Sequence, residues 1–375
     1  MAPNTASPLH LLTIHASYGC ARSGVCCTSD WDVPCDPAAH AAIARAIAGG
    51  ILAAPAGIEA WNHEAPDLPP PDIAVLARRA SGACVFLRDA TPSACSIHEA
   101  CGHGILPVTC RQFPRVALAD DRGLHVTLSH YCPTAARLLW ASPAAPLAIL
   151  RDPPGWHAGA LEPGLDARGH WPPLARPGVM LSFGAWSAWE RFCVATWACE
   201  GVTASTGLAA MAAAAARLRG IHADSGALEA AVARLDALRE PAVEAGSATL
   251  DAGRALADWR AAWATVPPGR ATPPVAPSRD DIDDAIPRLE GERDAVARYL
   301  ASKCVANWMA YQGHGLLAFV SSVRAAAHLV LVEAARGRER EPADRVREAV
   351  RRADLLLMHL ADAAVLAARW NRRER

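Results

Sequence analysis

Nine of the twelve cysteines in this chain lie within about a third of it, between Cys20 and Cys132. Proteins of the cytosol rarely oxidise their thiols to disulfides. Thiolates are the ligands that zinc and iron–sulfur clusters prefer, usually four to a site. The segment from Met1 to Cys20 has no basic stretch followed by an apolar run, so we expect a cytoplasmic protein without a secretory signal. The dense cysteines therefore indicate metal binding rather than a disulfide framework.

The spacing of these cysteines is irregular. Cys20 is followed by the adjacent pair Cys26 and Cys27, and the remaining six are Cys35, Cys84, Cys95, Cys101, Cys110 and Cys132. Neither a Cys-x2-Cys zinc ribbon nor a ferredoxin run is present, so the spacing leaves open which cysteines bind metal and which are packed as buried residues. In an extended chain, adjacent side chains point to opposite faces. We therefore expect at most one of Cys26 and Cys27 to bind the same metal as its neighbours.

Four segments carry a more specific pattern. They are Cys-Cys-x3-Trp at residues 26–31, Cys-x-Ile at 95–97, Gly-x3-Leu-x3-Cys leading to Pro-Arg at 102–115, and Ser-x-x-Cys-Pro-x-x-Ala-Arg-Leu at 129–138. This set resembles the zinc- or iron-chelating cysteine-cluster family and, within it, the flagellin lysine N-methylases. The similarity covers about a third of the chain, and the helical remainder is similar in general order only.

The resemblance implies an iron–sulfur cluster, or alternatively zinc, held by thiolates. It also implies methyl transfer from S-adenosylmethionine to a lysine of flagellin or of another protein substrate. The implied metal ligands are Cys20, Cys26, Cys27, Cys84, Cys95, Cys110 and Cys132. Cys35 and Cys101 have no counterpart in the family pattern, and the family's usual opening, Cys-x2-Cys-x2-Cys-Cys, is absent from this chain.

No motif locates a site for S-adenosylmethionine. The chain contains neither the glycine-rich strand–turn–helix of a Rossmann methyltransferase nor the Cys-x3-Cys-x2-Cys loop of radical enzymes. Under the resemblance, the cofactor would lie directly against the metal cluster. The sequence therefore assigns no catalytic residue and no cofactor-binding residue.

Several polar residues accompany the cysteines. His98, His103 and His130 are candidates for metal ligands or for hydrogen-bond partners of ligands. Arg111 and Arg115 are suited either to neutralising a negatively charged thiolate–metal centre or to binding a carboxylate, and a structural ion pair is the alternative.

Three functions remain open at the level of the sequence. The first is an enzyme, a metal-cluster protein that methylates protein lysine. The second is a non-catalytic protein that binds zinc or iron for metal handling. The third is an interaction scaffold in which zinc serves as a structural staple.

Composition and helical periodicity give the fold class. Hydrophobic residues make up 52% of the chain and the net charge is -1, which argues against a globally basic nucleic-acid-binding protein. We expect a mostly α protein: a small irregular cysteine-rich α+β metal-binding module at 1–140, a Pro/Gly-rich connector at 141–181, and a helical bundle at 182–375 on which the module packs. The apolar segment Cys304 to Val323 contains Asn307, Gln312 and His314, so we expect a buried helix and no membrane partner.

Some local elements are also predicted. Asp36 and Gly49-Gly50 bracket a helix over Pro37–Ala48. We expect a second short helix over Asp72–Arg79, and two strands over Val116–Leu128 around a turn. Helical spacing predicts one last helix over Pro342–Arg369.

Overall fold

The computed structural model describes residues 7–29, 31–63, 73–88, 94–141, 145–221, 225–235, 250–337 and 341–373. In these residues helices predominate and the sheets are small, which confirms the mostly α class. The chain divides into two compact units. The cysteine-rich unit comprises Gly19–Pro114 and Cys132–Thr134, and the helical unit comprises Met1–Tyr18, Arg115–Tyr131 and Ala135–Arg375.

The strands and helices are mostly short in the first half of the chain and longer in the second. The strands are β1 (Leu9–Leu12), β2 (Pro34–Cys35), β3 (Trp61–Asn62), β4 (Ala74–Leu76), β5 (Leu87–Arg88), β6 (Ala94–Cys95), β7 (Arg115–Asp120), β8 (Gly123–Leu128), β9 (Ile149–Arg151), β10 (Leu165–Asp166), β11 (Leu174–Arg176) and β12 (Val179–Met180). The helices are α1 (Val25–Thr28), α2 (Pro37–Ala48), α3 (Ser96–Cys101), α4 (Val108–Gln112), α5 (Pro133–Leu138), α6 (Phe183–Trp197), α7 (Ala204–Arg219), α8 (Ser225–Ala233), α9 (Ala252–Trp263), α10 (Arg279–Asp283), α11 (Ile286–Gly291), α12 (Arg293–Ser302), α13 (Leu316–Arg336), α14 (Pro342–Leu355) and α15 (Ala363–Arg373).

Within the cysteine-rich unit, α2 has the predicted bounds. Oδ1 of Asp36 accepts hydrogen bonds from the backbone N–H groups of Ala38 and Ala39, both at 2.9 Å, and so caps the helix. The predicted helix over Asp72–Arg79 is wrong where the structure describes it: residues 74–76 form β4, which pairs with β2 and β3. All three residues of β4 are buried, and strand pairing on both sides satisfies their backbone groups in a way that an isolated helical turn would not.

The helical unit contains one five-stranded sheet, in the order β10-β7-β8-β1-β9. The predicted hairpin is confirmed as β7 and β8, which pair from Arg115 with Leu128 to Asp120 with Gly123. β1 lies parallel to β8, and a Cβ on Gly123 would come within 2.2 Å of the Pro8 carbonyl oxygen. Only glycine permits this close approach, at a φ of +135°.

Helix α13 lies at the centre of the helical unit. Among the described residues it is the one helix long and apolar enough to span a membrane, yet 89% of that apolar window is buried inside the protein. It packs against α14, α9 and α7. The last predicted helix is divided: α14 is followed by a π-helical turn at Leu356–Leu360, and the backbone at Ala361 is extended before α15 begins.

Candidate metal centre

The adjacent cysteines of the cysteine-rich unit lie in a helical turn. Gly24, in the left-handed region at φ 73°, precedes α1, which carries Cys26 and Cys27. The two Sγ atoms are 4.0 Å apart. The expectation that these side chains point to opposite faces is therefore wrong, because the backbone here is helical rather than extended. Both sulfurs are available to one site.

Cys95 lies where a thiol ionises easily. It ends β6 and precedes the first residue of α3, and the backbone N–H groups of Ile97 and His98 in that helix favour the charged form of its thiol. The neighbouring thiol of Cys27 is the main cause that lowers the pKa of Cys95 to about 7. A thiol at a helix N-terminus with such donors ionises readily, and the thiolate is the form that binds metal.

Cys27 has two other cysteines beside it. Its Sγ lies 4.0 Å from that of Cys26, a contact in which either thiol can be the donor. The thiols of Cys26 and Cys95, with burial, raise the pKa of Cys27, whereas the contact with Cys27 lowers the pKa of Cys26. Of these three thiols, those of Cys26 and Cys95 therefore ionise more readily than that of Cys27.

Two further predicted ligands, Cys84 and Cys110, lie close enough to Cys26 and Cys95 for the charges to shift each other's pKa. Cys84 is buried, which raises its pKa, and its backbone N–H donates to the carbonyl oxygen of Cys27 at 2.7 Å. Cys110 lies in α4. Burial raises the pKa of its thiol, and charge on Cys26, Cys84 and Cys95 raises it further. Five of the seven predicted ligands therefore share one neighbourhood.

Cys35 joins the same neighbourhood, although the sequence pattern set it apart. It lies in β2, has 0% of its surface exposed, and acts electrostatically on Cys110. In the sequence, only the position of Cys35 within the cysteine-dense segment indicated that it could take part in the site. The pairing of β2 with β4, which no motif records, is what holds it inside the unit.

The other predicted residues have different surroundings. Cys20 is exposed, and its Sγ accepts the backbone N–H of Arg22 at 3.4 Å. Cys132 is buried directly before α5. The rings of His98 and His103 lie edge to face with centroids 5.7 Å apart, and burial lowers the pKa of His98.

These cysteines have the right chemistry to bind a metal through thiolates, but their side chains are not arranged as a complete coordination sphere. Tetrahedral bonds of about 2.3 Å place two sulfurs about 3.8 Å apart, close to the separation of Cys26 and Cys27. In the part of the chain that the structure describes, no three His, Cys, Asp or Glu side chains are arranged to hold a metal ion as they stand. Binding would therefore require side-chain rotations that bring the sulfurs into convergence.

A second polar cluster, which sequence reasoning missed except for His130, lies inside the helical unit. The backbone N–H of His130 donates to Asp354 at 2.6 Å, and the Nε2 atoms of His130 and His15 are 3.3 Å apart. The Tyr299 hydroxyl donates to Asp354 at 2.8 Å, and Nζ of Lys303, the only lysine in the chain, lies 2.6 Å from the same carboxylate. In this structure His130 is thus a hydrogen-bond partner of a buried carboxylate.

Comparison with known proteins gives no relative: no family model, no curated protein and no solved structure matches this chain. The resemblance to cysteine-cluster methylases thus stays a prediction that depends on the motifs alone.

Proposed function

We propose that the cysteine-rich unit binds a metal through thiolates, and that the metal is an iron–sulfur cluster. One observation carries this proposal: Cys26, Cys84, Cys95 and Cys110 come from four separate segments and lie close enough to act electrostatically on one another. Four thiolates are what a [4Fe–4S] cluster or a structural zinc site requires.

The surroundings of these sulfurs favour a cluster over a plain structural zinc. Backbone N–H groups favour the charged forms of the Cys84 and Cys95 thiols, and donors of this kind, together with burial, set the reduction potential of an iron–sulfur centre. Two thiols beyond the four, those of Cys27 and Cys35, give the site more donors than one zinc ion needs.

The activity that we propose is N-methylation of protein lysine with S-adenosylmethionine, with flagellin as the substrate type. Its support is the motif resemblance. In this reaction the lysine ammonium loses a proton, its nitrogen forms a bond to the methyl carbon, and the sulfonium–methyl bond breaks. S-adenosylhomocysteine, a methylated ammonium and one proton are the products.

Metal analysis of anaerobically purified protein tests the first part. We expect a brown protein with iron and acid-labile sulfide in comparable amounts. A colourless protein with one zinc ion would instead favour the non-catalytic reading, either metal handling or a zinc-stapled scaffold.

Co-expression with a flagellin tests the second part. We expect methylated lysine on the flagellin by mass spectrometry, and its loss in Cys110→Ser. Cys199→Ser is the control, because Cys199 lies in the helical unit, where its thiol donates to the carbonyl oxygen of Ala195. Iron-replete protein that leaves flagellin unmodified would refute methylation and leave the metal centre standing.

A further inference from the structure

An arginine side chain of the helical unit contacts two aromatic rings. The guanidinium carbon of Arg115 is 5.3 Å from the ring centroid of Tyr18 and 5.4 Å from that of Trp156. Aromatic faces attract a guanidinium and leave its N–H groups able to donate to another partner.

Hydrogen bonds that involve the backbone fix the positions of these three residues. Arg115 pairs with Leu128 at the start of β7, and the backbone N–H of Tyr18 donates to the carbonyl oxygen of His15 at 3.0 Å. The indole N–H of Trp156 donates to the carbonyl oxygen of Ala16 at 3.0 Å. The two rings and the arginine are therefore pre-positioned by three separate segments of the same unit.

The guanidinium of Arg115 has no hydrogen-bond or ion-pair partner among the described residues, although the side chain is half-buried. Arg122, seven residues on, shows the contrast: it is bound by Asp120 at 2.7 Å and by Glu190. Arg111, the other arginine singled out in the sequence, donates to the carbonyl oxygen of Gly104 at 3.2 Å. Arg115 thus presents an ordered set of donors without an acceptor.

We propose that Arg115, which lies over the rings of Tyr18 and Trp156, binds the carboxylate of a ligand. A flat guanidinium makes two parallel N–H···O bonds with a carboxylate, and no acidic side chain of the described residues occupies that position. The ligand identity rests on the proposed function: it is the methionyl carboxylate of S-adenosylmethionine. The inference assigns a binding role to Arg115 and no role in the chemical step.

Two probes separate the carboxylate contact from the rest of the ligand. S-adenosylhomocysteine carries the amino-acid carboxylate, and 5′-methylthioadenosine is a related thioether nucleoside without it. Isothermal titration calorimetry on the anaerobic full chain measures both. We expect Arg115→Gln to weaken S-adenosylhomocysteine by about ten- to a hundredfold, the range of a charge-assisted hydrogen-bond pair, and to leave methylthioadenosine unchanged.

Two other variants complete the test. Arg115→Lys keeps the charge but cannot form two parallel hydrogen bonds, so we expect an intermediate loss of affinity for S-adenosylhomocysteine. If Arg115→Gln fails to fold, this second variant tests the proposal. Arg168→Gln is the control, since Asp166 already binds that guanidinium. Equal affinity of wild type and both Arg115 variants for S-adenosylhomocysteine, or equal weakening of both probes, would overturn the role of Arg115 alone. No binding of either probe to the iron-replete wild type would overturn this role and methyl transfer together.

Discussion

The sulfur atoms of Cys26 and Cys27 lie 4.0 Å apart, and the thiol of Cys95, far along the chain, is close enough to Cys27 for the two to shift each other's pKa. A helical turn brings the first pair together, and the packing of the cysteine-rich unit brings in the third sulfur. Because the pKa of Cys95 is lowered to about 7, it is the thiolate whose loss should matter most.

Cys95→Ser is expected to remove most of the bound metal. A hydroxyl is a poor ligand for iron or zinc compared with a thiolate, so iron and sulfide per chain should fall about tenfold or more. Both are measured on anaerobic protein, alongside the circular dichroism spectrum. Retention of metal by Cys95→Ser would remove this residue from the ligand set.

Cys20→Ser is expected to retain its metal, in contrast to the ligand role implied by the motif. Cys20 is exposed, and its Sγ accepts the N–H of Arg22, whereas Cys26, Cys84, Cys95 and Cys110 are partly or fully buried and act electrostatically on one another. The same metal analysis applies. A loss as large as that of Cys95→Ser would show that residues near Cys20 close over the site when metal binds.

Asp354→Ala is expected to destabilise the protein by about 3–5 kcal/mol, since it leaves the buried charge of Lys303 without its partner. His130 and Tyr299 lose their acceptor in the same change. Urea unfolding followed by circular dichroism measures the free energy of unfolding. Asp166→Ala, which breaks the exposed pair with Arg168, is the control and should change stability little. Similar effects of the two substitutions would contradict this account of the buried cluster.

Stability is expected to fall as the pH drops from about 6.5 to about 4. Burial lowers the pKa of His359 to about 4, so this imidazole is neutral in the folded protein, where its Nε2 lies 2.7 Å from Oγ of Ser129. The histidine of the unfolded chain takes up its proton first, near pH 6.5. Protonation therefore stabilises the unfolded state relative to the folded state across this window, by at most about 3 kcal/mol for one histidine.

His359→Gln is the matching variant, because its amide can still bond with Ser129 but does not titrate. The free energy of unfolding, measured at several pH values, should depend less steeply on pH in this variant than in the wild type. Identical slopes would mean that His359 is protonated in the folded state or contributes nothing to the pH dependence.

Gly207→Ala is expected to destabilise the helical unit, although alanine is the better helix former by about 1 kcal/mol. A Cβ at Gly207, inside α7, would lie 2.3 Å from the ring of Trp197. Trp197 is buried, so the ring cannot move aside cheaply, and overpacking of this kind costs about 1–3 kcal/mol. Gly291→Ala, where nothing lies within 4 Å of the new Cβ, is the control for thermal unfolding. A more stable Gly207→Ala variant would show that the indole can shift.

The sequence by itself determined the elements whose causes are local. The Asp36 cap and the following glycines placed α2 at Pro37–Ala48, and the turn after Asp120 placed β7 and β8. The apolar pattern predicted a buried helix over Cys304 to Val323; this is confirmed only from Leu316, where the buried helix α13 begins, and is wrong for the residues before it, which form turns and a 3₁₀ turn at Trp308–Tyr311. The density of cysteines also indicated where a metal centre would be sought.

Only the tertiary structure decided the relations between distant residues. It placed Cys35 with Cys110, made β4 a strand against its predicted helix, and put Cys26 and Cys27 on one side of a helical turn. It also joined Asp354 to Lys303, and placed the guanidinium of Arg115 over the rings of Tyr18 and Trp156. Periodicity reports which face of an element is buried, but not what lies opposite it. Contacts between segments far apart in the chain depend on strand pairing and side-chain packing that no single window of sequence contains.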